Sequence, residues 1–299
     1  MPQDIINALG PGHPAARNWD RFADAAKTIS EKKSGMAGYT MALGRNLCAD
    51  YHITQLIWQA GGMTWDPAAG FRTVFDSPAT VEAFEFIKRL NAYMPRAAVE
   101  FSFLQVVDQH VTGRTGMSAY WGRTMGRAAE EAPAIFRHME YYLNPAHPRT
   151  GGRWSWTDIN GWIIPARDNP FIREVKEAVA YVSNSVDWMV RYSQSLMPNV
   201  GPVFKDVASA PAMLAHPFYQ SKKRSLEVIF EQSVPHACNT GLELKKGVNP
   251  LAGFAHGRSV WAQAVQRMIL NNEPAKTAVE WGHRQFESIR RDNQRLLAG

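Results

Sequence analysis

Cysteine is nearly absent from this 299-residue chain, which holds only Cys48 and Cys238. Two thiols so placed give no C-x-x-C, no zinc spacing and no disulfide framework. They read as two separate buried thiols, with a single bridge between them as the alternative. Long apolar runs are missing too: no stretch reaches the roughly eighteen residues that a membrane-spanning helix needs. Met1 to Gly12 has no basic region followed by an apolar one, so no export signal is read there. Charge of one sign is scarce. The net +6 arises from 33 bases against 27 acids, and no block of five or six Lys or Arg occurs. Lys222-Lys223-Arg224 and Arg290-Arg291 read as solvated helix faces, so no nucleic-acid partner is expected. A charged fraction of 20% is also too low for disorder driven by self-repulsion.

Sequence motifs of catalysis are absent as well. There is no phosphate-binding P-loop, no Gly-rich dinucleotide fingerprint, no H-E-x-x-H and no G-x-S-x-G elbow. The nine histidines are scattered, and His110, His138 and His216 read as surface or satisfied core residues. Glu130-Glu131 falls on an exposed helix and offers no carboxylate pair for hydrolysis. No catalytic residue, metal ligand or cofactor is therefore assigned, and the chain reads as a non-enzyme.

What is present is an ordinary 45% hydrophobic content and an unusual ten tryptophans. The first supports a sizeable core, and the length leaves room for about two domains. Trp carries an N–H that wants a partner, so a surplus hints at flat-faced ligand contacts beside the packing. Asn18 is placed to cap a helix running to Lys32-Lys33, and Tyr39 to Leu43 reads as a short strand. A helix from about Ala49 ends at Gly61-Gly62, and Asp76-Ser77-Pro78 opens another. Helices are expected over about 103–111 and 125–132, with strands at Gly116–Tyr120, Met139–Leu143 and Trp162–Ile164. From Phe171 onward the chain reads as mostly helical: 171–184, 186–195, 209–216, 219–230, 254–271 and 274–296. Short strands interleaved with helices indicate an α/β class with a helical elaboration.

Several of these segments carry more than helix grammar. Asn18-Trp19-Asp20-Arg21-Phe22-Ala23-Asp24-Ala25-Ala26-Lys27 is similar to a TWDEF-x-x-AAKK helix, with Asn in place of the capping Thr. Ala60-Gly61-Gly62 matches an AGG helix end, and Phe75-Asp76-Ser77-Pro78 with Ala83 to Leu90 matches an F-x-SPE-x-x-EAL-x-F segment. Val111-Thr112-Gly113-Arg114-Thr115-Gly116-Met117 follows F-x-x-GK-x-AM, with Tyr120-Trp121-Gly122 next. Asn160-Gly161-Trp162-Ile163-Ile164-Pro165 stands for a GGWGLAIP strand, and Glu177 to Val182 for a KEAAWEFIKFL helix. In this order, over about 19–290, they resemble the family 1 extracellular solute-binding proteins of bacterial ABC importers, the maltose-binding-protein-like group.

The resemblance implies an α/β, periplasmic-binding-protein-like (type II) two-lobed fold, helix-rich and lacking the N-terminal part of the first lobe. It implies an extracytoplasmic protein that captures a sugar, oligosaccharide or polyol in an inter-lobe cleft and presents it to ABC permease membrane subunits. The expected organisation is a leader or linker over 1–17 and mostly C-terminal lobe over 18–152. A returning segment of the N-terminal lobe would follow over 153–205, then mostly helical C-terminal-lobe elements and tail over 206–299. Apolar faces or strand edges of the 162–205 region would be left uncovered.

Sugars present an apolar C–H face and a rim of hydroxyls, which flat aromatics and planar polar groups answer. On that basis Trp121, Tyr120 and Arg123 are expected ligand contacts. Trp154, Trp156, Asp158 and Asn160 form a second cluster, Asp50, Tyr51 and His52 a third, and Trp261 is added by alignment. Arg45 or Arg123 would suit a sugar phosphate. A carbohydrate-active enzyme, or a sensor or interaction protein that kept the fold, is the alternative reading.

Overall fold

The computed structural model describes residues 18–120, 122–157, 161–165 and 169–297. Local capping chemistry fixes the first elements. Helix α1 (Trp19–Lys32) begins where the Asn18 side chain accepts the Arg21 N–H. Strand β1 (Ala37–Thr40) follows. Helix α2 (Leu47–Ala60) is capped by the Asn46 side chain on the Ala49 N–H and stops at Gly61, whose φ of 91° suits a residue without Cβ. A small hairpin, β2 (Trp65–Asp66) with β3 (Arg72–Thr73), leads to α3 (Pro78–Asn91), capped by Ser77 with Pro at its first position. Helix α4 (Phe103–Val111) and strand β4 (Thr115–Ser118) come next, with β4 parallel to β1. Gly38 lets β1 lie directly on α1, since a Cβ there would overlap the Ala26 carbonyl.

The rest of the chain is short helices and two further strands. They are α5 (Arg123–Glu131), α6 (Pro133–His138), β5 (Ser155–Trp156), α7 (Ile172–Asn184) and α8 (Val186–Leu196). Then come α9 (Lys205–Ser209), α10 (Pro211–Leu214), α11 (Pro217–Glu227) and β6 (Ala237–Cys238), which pairs parallel with β5. Helices α12 (Ala252–Gly257), α13 (Val260–Leu270) and α14 (Ala275–Asp292) complete the fold.

Apolar packing sorts these elements into two bodies. The main core combines residues from 19 to 106 with residues from 251 to 289. Trp65, Trp261, Phe75, Phe84 and Phe286 are its largest fully buried side chains, each worth roughly 2–3 kcal/mol of transfer free energy. The second body joins two smaller clusters. Val190, Met197, Val207, Met213, Tyr219 and Leu226 form one, and Val107, Val111, Met125, Ala128 and Met139 the other. Phe218 packs against both, and Tyr120 packs against the main core and the Val107 cluster alike. The apolar packing does not break at position 205, because Val190 and Met197 share a core with Val207 and Leu226.

Two expected strands do not form. Residues 139–143 and 162–164 carry no ladder hydrogen bonds. A strand exists only with a partner, and the Tyr141 N–H donates to Ser225 Oγ instead. Trp162 and Ile163 stand 57% and 89% exposed. Helix α7 buries none of its residues, and Phe171, Tyr181, Val203 and Phe204 are exposed. The expected uncovered apolar surface over 162–205 is present.

Of the helices expected after Phe171, 254–271 is divided, α12 and α13 meeting at Ser259, which adopts a left-handed backbone, and 209–216 forms only as the short α10 after Pro211. Both cysteines are buried free thiols. Among the described residues no helix is long and apolar enough to cross a membrane, and no group of His, Cys, Asp and Glu could hold a metal.

Candidate functional site

Between the two bodies lies a cavity of about 1120 Å³. One wall comes from α2 and β5. Tyr51 stacks on Trp156 with ring centroids 3.7 Å apart, and Trp58 lies parallel to Trp156 at 5.7 Å. Tyr51 and Trp156 both line the cavity, while Trp58 is buried behind them. The cavity is also lined by Tyr120, nearly parallel to Phe103 at 6.0 Å, and by Arg123, whose guanidinium lies 5.0 Å from the same Phe103 ring. Gly122 admits a close approach within the second body, at the start of α5, since a Cβ there would overlap the Pro198 carbonyl.

Five of the expected ligand contacts therefore come together around one cavity: Tyr51, His52, Tyr120, Arg123 and Trp156. His52 is 3% exposed and turns its Nδ1 to accept the Ala42 N–H. Burial pushes its pKa down to about 4, so the ring is neutral near pH 7 with the proton on Nε2. Trp121, Asp158 and Asn160 lie outside the described residues.

Three expected contacts stand elsewhere. The Trp154 carbonyl accepts from Gln59 Nε2 and Asn144 Nδ2, and its ring faces Lys245 Nζ at 5.9 Å. Trp261 is fully buried and donates its indole N–H to Thr64 Oγ1, because the α13 face that carries it packs into the main core. Asp50 is also fully buried; it accepts from His256 and from the Ala262 N–H instead of facing the cavity. Arg45, read as a phosphate contact, donates to Gln266 Oε1.

Other residues at the cavity were not singled out as ligand contacts. Trp162, Tyr192, Asn144, Glu140 and His110 also line it. Trp162 carries an aromatic signal within a segment whose pattern predicts a strand, and Asn144 falls in a predicted turn. Asn144 Nδ2 binds Gln55 Oε1 and Ser155 Oγ as well, tying the β5 approach to α2. Ser118 Oγ lies 3.1 Å from His110 Nδ1.

Behind the Tyr51–Trp156 stack, Thr240 Oγ1 lies 2.8 Å from His256 Nε2, and His256 Nδ1 lies 2.9 Å from Asp50 Oδ2. Hydroxyl, imidazole and carboxylate in that order are the parts of an acyl-transfer relay. Thr240, however, is only 3% exposed and does not line this cavity, so its hydroxyl is not presented to a substrate there. Burial pushes the Asp50 carboxyl up, opposed by hydrogen bonding to His256.

The architecture, two bodies about an aromatic cleft, is that of the type II periplasmic binding proteins. Solved structures share it over nearly all of this chain. Maltose-bound MalE3 of T. maritima superposes with a TM-score of 0.75 at 17% identity, covering 96% of this chain and 68% of that one. An ABC transporter solute-binding protein of Thermotoga lettingae TMO, bound with α-D-tagatose, gives 0.73 at 19% identity over 96% and 68%. A solute-binding protein of Agrobacterium vitis S4 with bound D-mannitol gives 0.70 at 17% identity over 97% and 69%. The chain thus spans about two thirds of the length of these binding proteins. No protein-family model and no curated protein sequence matches it.

Proposed function

We propose that this chain captures a sugar or related polyol between its two bodies, as the solute-binding component of an ABC importer. The observation that carries the reading is the cavity itself. Tyr51, Trp156, Tyr120 and Arg123 line one cavity of about 1120 Å³, which offers apolar faces to C–H surfaces and donors to hydroxyls. Solute-binding proteins of the same fold hold maltose, tagatose and mannitol, which supports this ligand class. Capture, not turnover, suits a cleft that the Thr240–His256–Asp50 relay does not line. Ligand touching both bodies favours the closed form, and that form would engage the permease subunits outside the cytoplasm.

Titration calorimetry against a panel of sugars and polyols tests the reading, after a thermal-shift screen selects candidates. A bound ligand is expected to lose at least tenfold in affinity in Trp156→Ala and in Tyr51→Ala. Hydrolysis of a chromogenic glycoside, or no melting shift across the panel, would overturn it.

A further inference from the structure

Tyr51 and Trp156 come from elements far apart in sequence, yet one hydrogen-bonded circuit ties them together. Tyr51 follows Asp50 on the first turn of α2. Trp156 pairs in register with Cys238 across the β5–β6 ladder, two residues before Thr240. His256 bridges the two ends, since Asp50 Oδ2 and Thr240 Oγ1 lie 2.9 and 2.8 Å from its two ring nitrogens. The Asp50 carboxylate accepts from the His256 Nδ1–H, and Thr240 Oγ1 is the partner of Nε2. Asp50 Oδ1 is held separately by the Ala262 N–H, which leaves Oδ2 for the imidazole. The imidazole edge also meets both rings of the stack, Tyr51 at 6.0 Å and 90° and Trp156 at 5.9 Å and 83°.

We infer that Asp50, His256 and Thr240 are positioning residues for the Tyr51–Trp156 stack. They fix its ring spacing without touching ligand. The circuit runs from Tyr51 through Asp50, His256 and Thr240 to Cys238, across the ladder to Trp156, and closes by stacking. It joins α2, α12 and the segment after β6, so a break in any link loosens the hold of the β6 segment on α2 and lets the ring spacing drift. This inference rests on the proposed ligand-binding role of the stack only for its effect on affinity.

Trp58 shares α2 with Tyr51, so the far-UV circular-dichroism couplet expected of the Trp58–Trp156 pair reads the position of Trp156 against α2 without any ligand. Thr240→Val removes the hydroxyl at constant shape and is expected to lose most of the couplet; Thr240→Ser keeps the hydroxyl and is expected to restore it. Asp50→Asn, which keeps the volume, serves as the second break if Thr240→Val fails to fold. With maltose and D-mannitol as probes, the breaking variants are expected to lose about tenfold in affinity and Thr240→Ser little. A wild-type couplet in Thr240→Val and Asp50→Asn would overturn the inference, as would loss of the couplet in Thr240→Ser together with Thr240→Val. A wild-type chain that binds neither probe counts against the sugar-capture reading, and the couplet still decides the circuit.

Discussion

Glu243 shows how one side chain ties distant segments together. Its carboxylate is buried and accepts four hydrogen bonds, from Trp58 Nε1, Thr64 N, Thr64 Oγ1 and Trp65 N. All four donors are neutral, and burial raises its pKa despite them. Glu243→Ala leaves four buried donors unpaired and is expected to cost about 3 kcal/mol or more in denaturant unfolding. A raised folded pKa stabilises most below the unfolded value, about 4.3, and that advantage falls as pH rises through the folded value. Wild type is therefore expected to gain on Glu243→Gln as pH drops toward 4. His52 has the opposite sign. Its folded pKa of about 4 lies below the unfolded value of about 6.5, so its contribution is whole above pH 6.5 and lost on the way down to 4. His52→Asn keeps an acceptor for Ala42 N–H and removes the titration. Its stability deficit at pH 7 is expected to shrink by roughly 3 kcal/mol at pH 4; a pH-independent difference would refute the assignment.

At the scale of elements, the signals that survived are local ones. Asn18, Asn46 and Ser77 cap their helices through bonds to residues three positions on, and such contacts are written in a few adjacent letters. Asn46→Ala is expected to cost about 1 kcal/mol, with α2 amides near its start exchanging hydrogen faster. The strands expected at Met139–Leu143 and Trp162–Ile164 failed for the complementary reason. Alternation and β-branching announce a willingness to pair, whereas the partner is a tertiary fact. The same division runs through the cleft. Tyr51, Tyr120, Arg123 and Trp156 were legible as residue types suited to sugars, each beside a helix start or chain crossing. The Thr240–His256–Asp50 circuit was not, because Asp50 and His256 stand 206 positions apart and no local pattern joins them. Trp261 shows the same limit: an indole on an amphipathic helix looks the same whether it fills a core, as here, or lines a cleft.

For the whole molecule, the uncovered surface of residues 162–204 has measurable consequences. Trp162, Ile163, Phe171, Tyr181, Val203 and Phe204 are all exposed along one stretch of chain. Monomeric proteins rarely leave more than about 300–600 Å² of contiguous apolar surface open. The native chain is therefore expected to bind the dye ANS strongly without denaturant. The double variant Trp162→Ser, Tyr181→Ser should lower that fluorescence at least twofold with an unchanged melting temperature; equal brightness would mean the patch is not the dye site.

The split of the main core also sets a timetable for the chain's birth. Trp65, Phe75 and Phe84 belong to the early half, while Trp261 and Phe286 belong to the late one. Residues 107–250 must all be translated between the two. At ~5–20 residues per second that interval lasts about 7–30 s. Throughout it the apolar faces of α2 and α3 await the helices that will cover them, so a nascent chain paused before α13 presents a chaperone with the very surface that later becomes the interior.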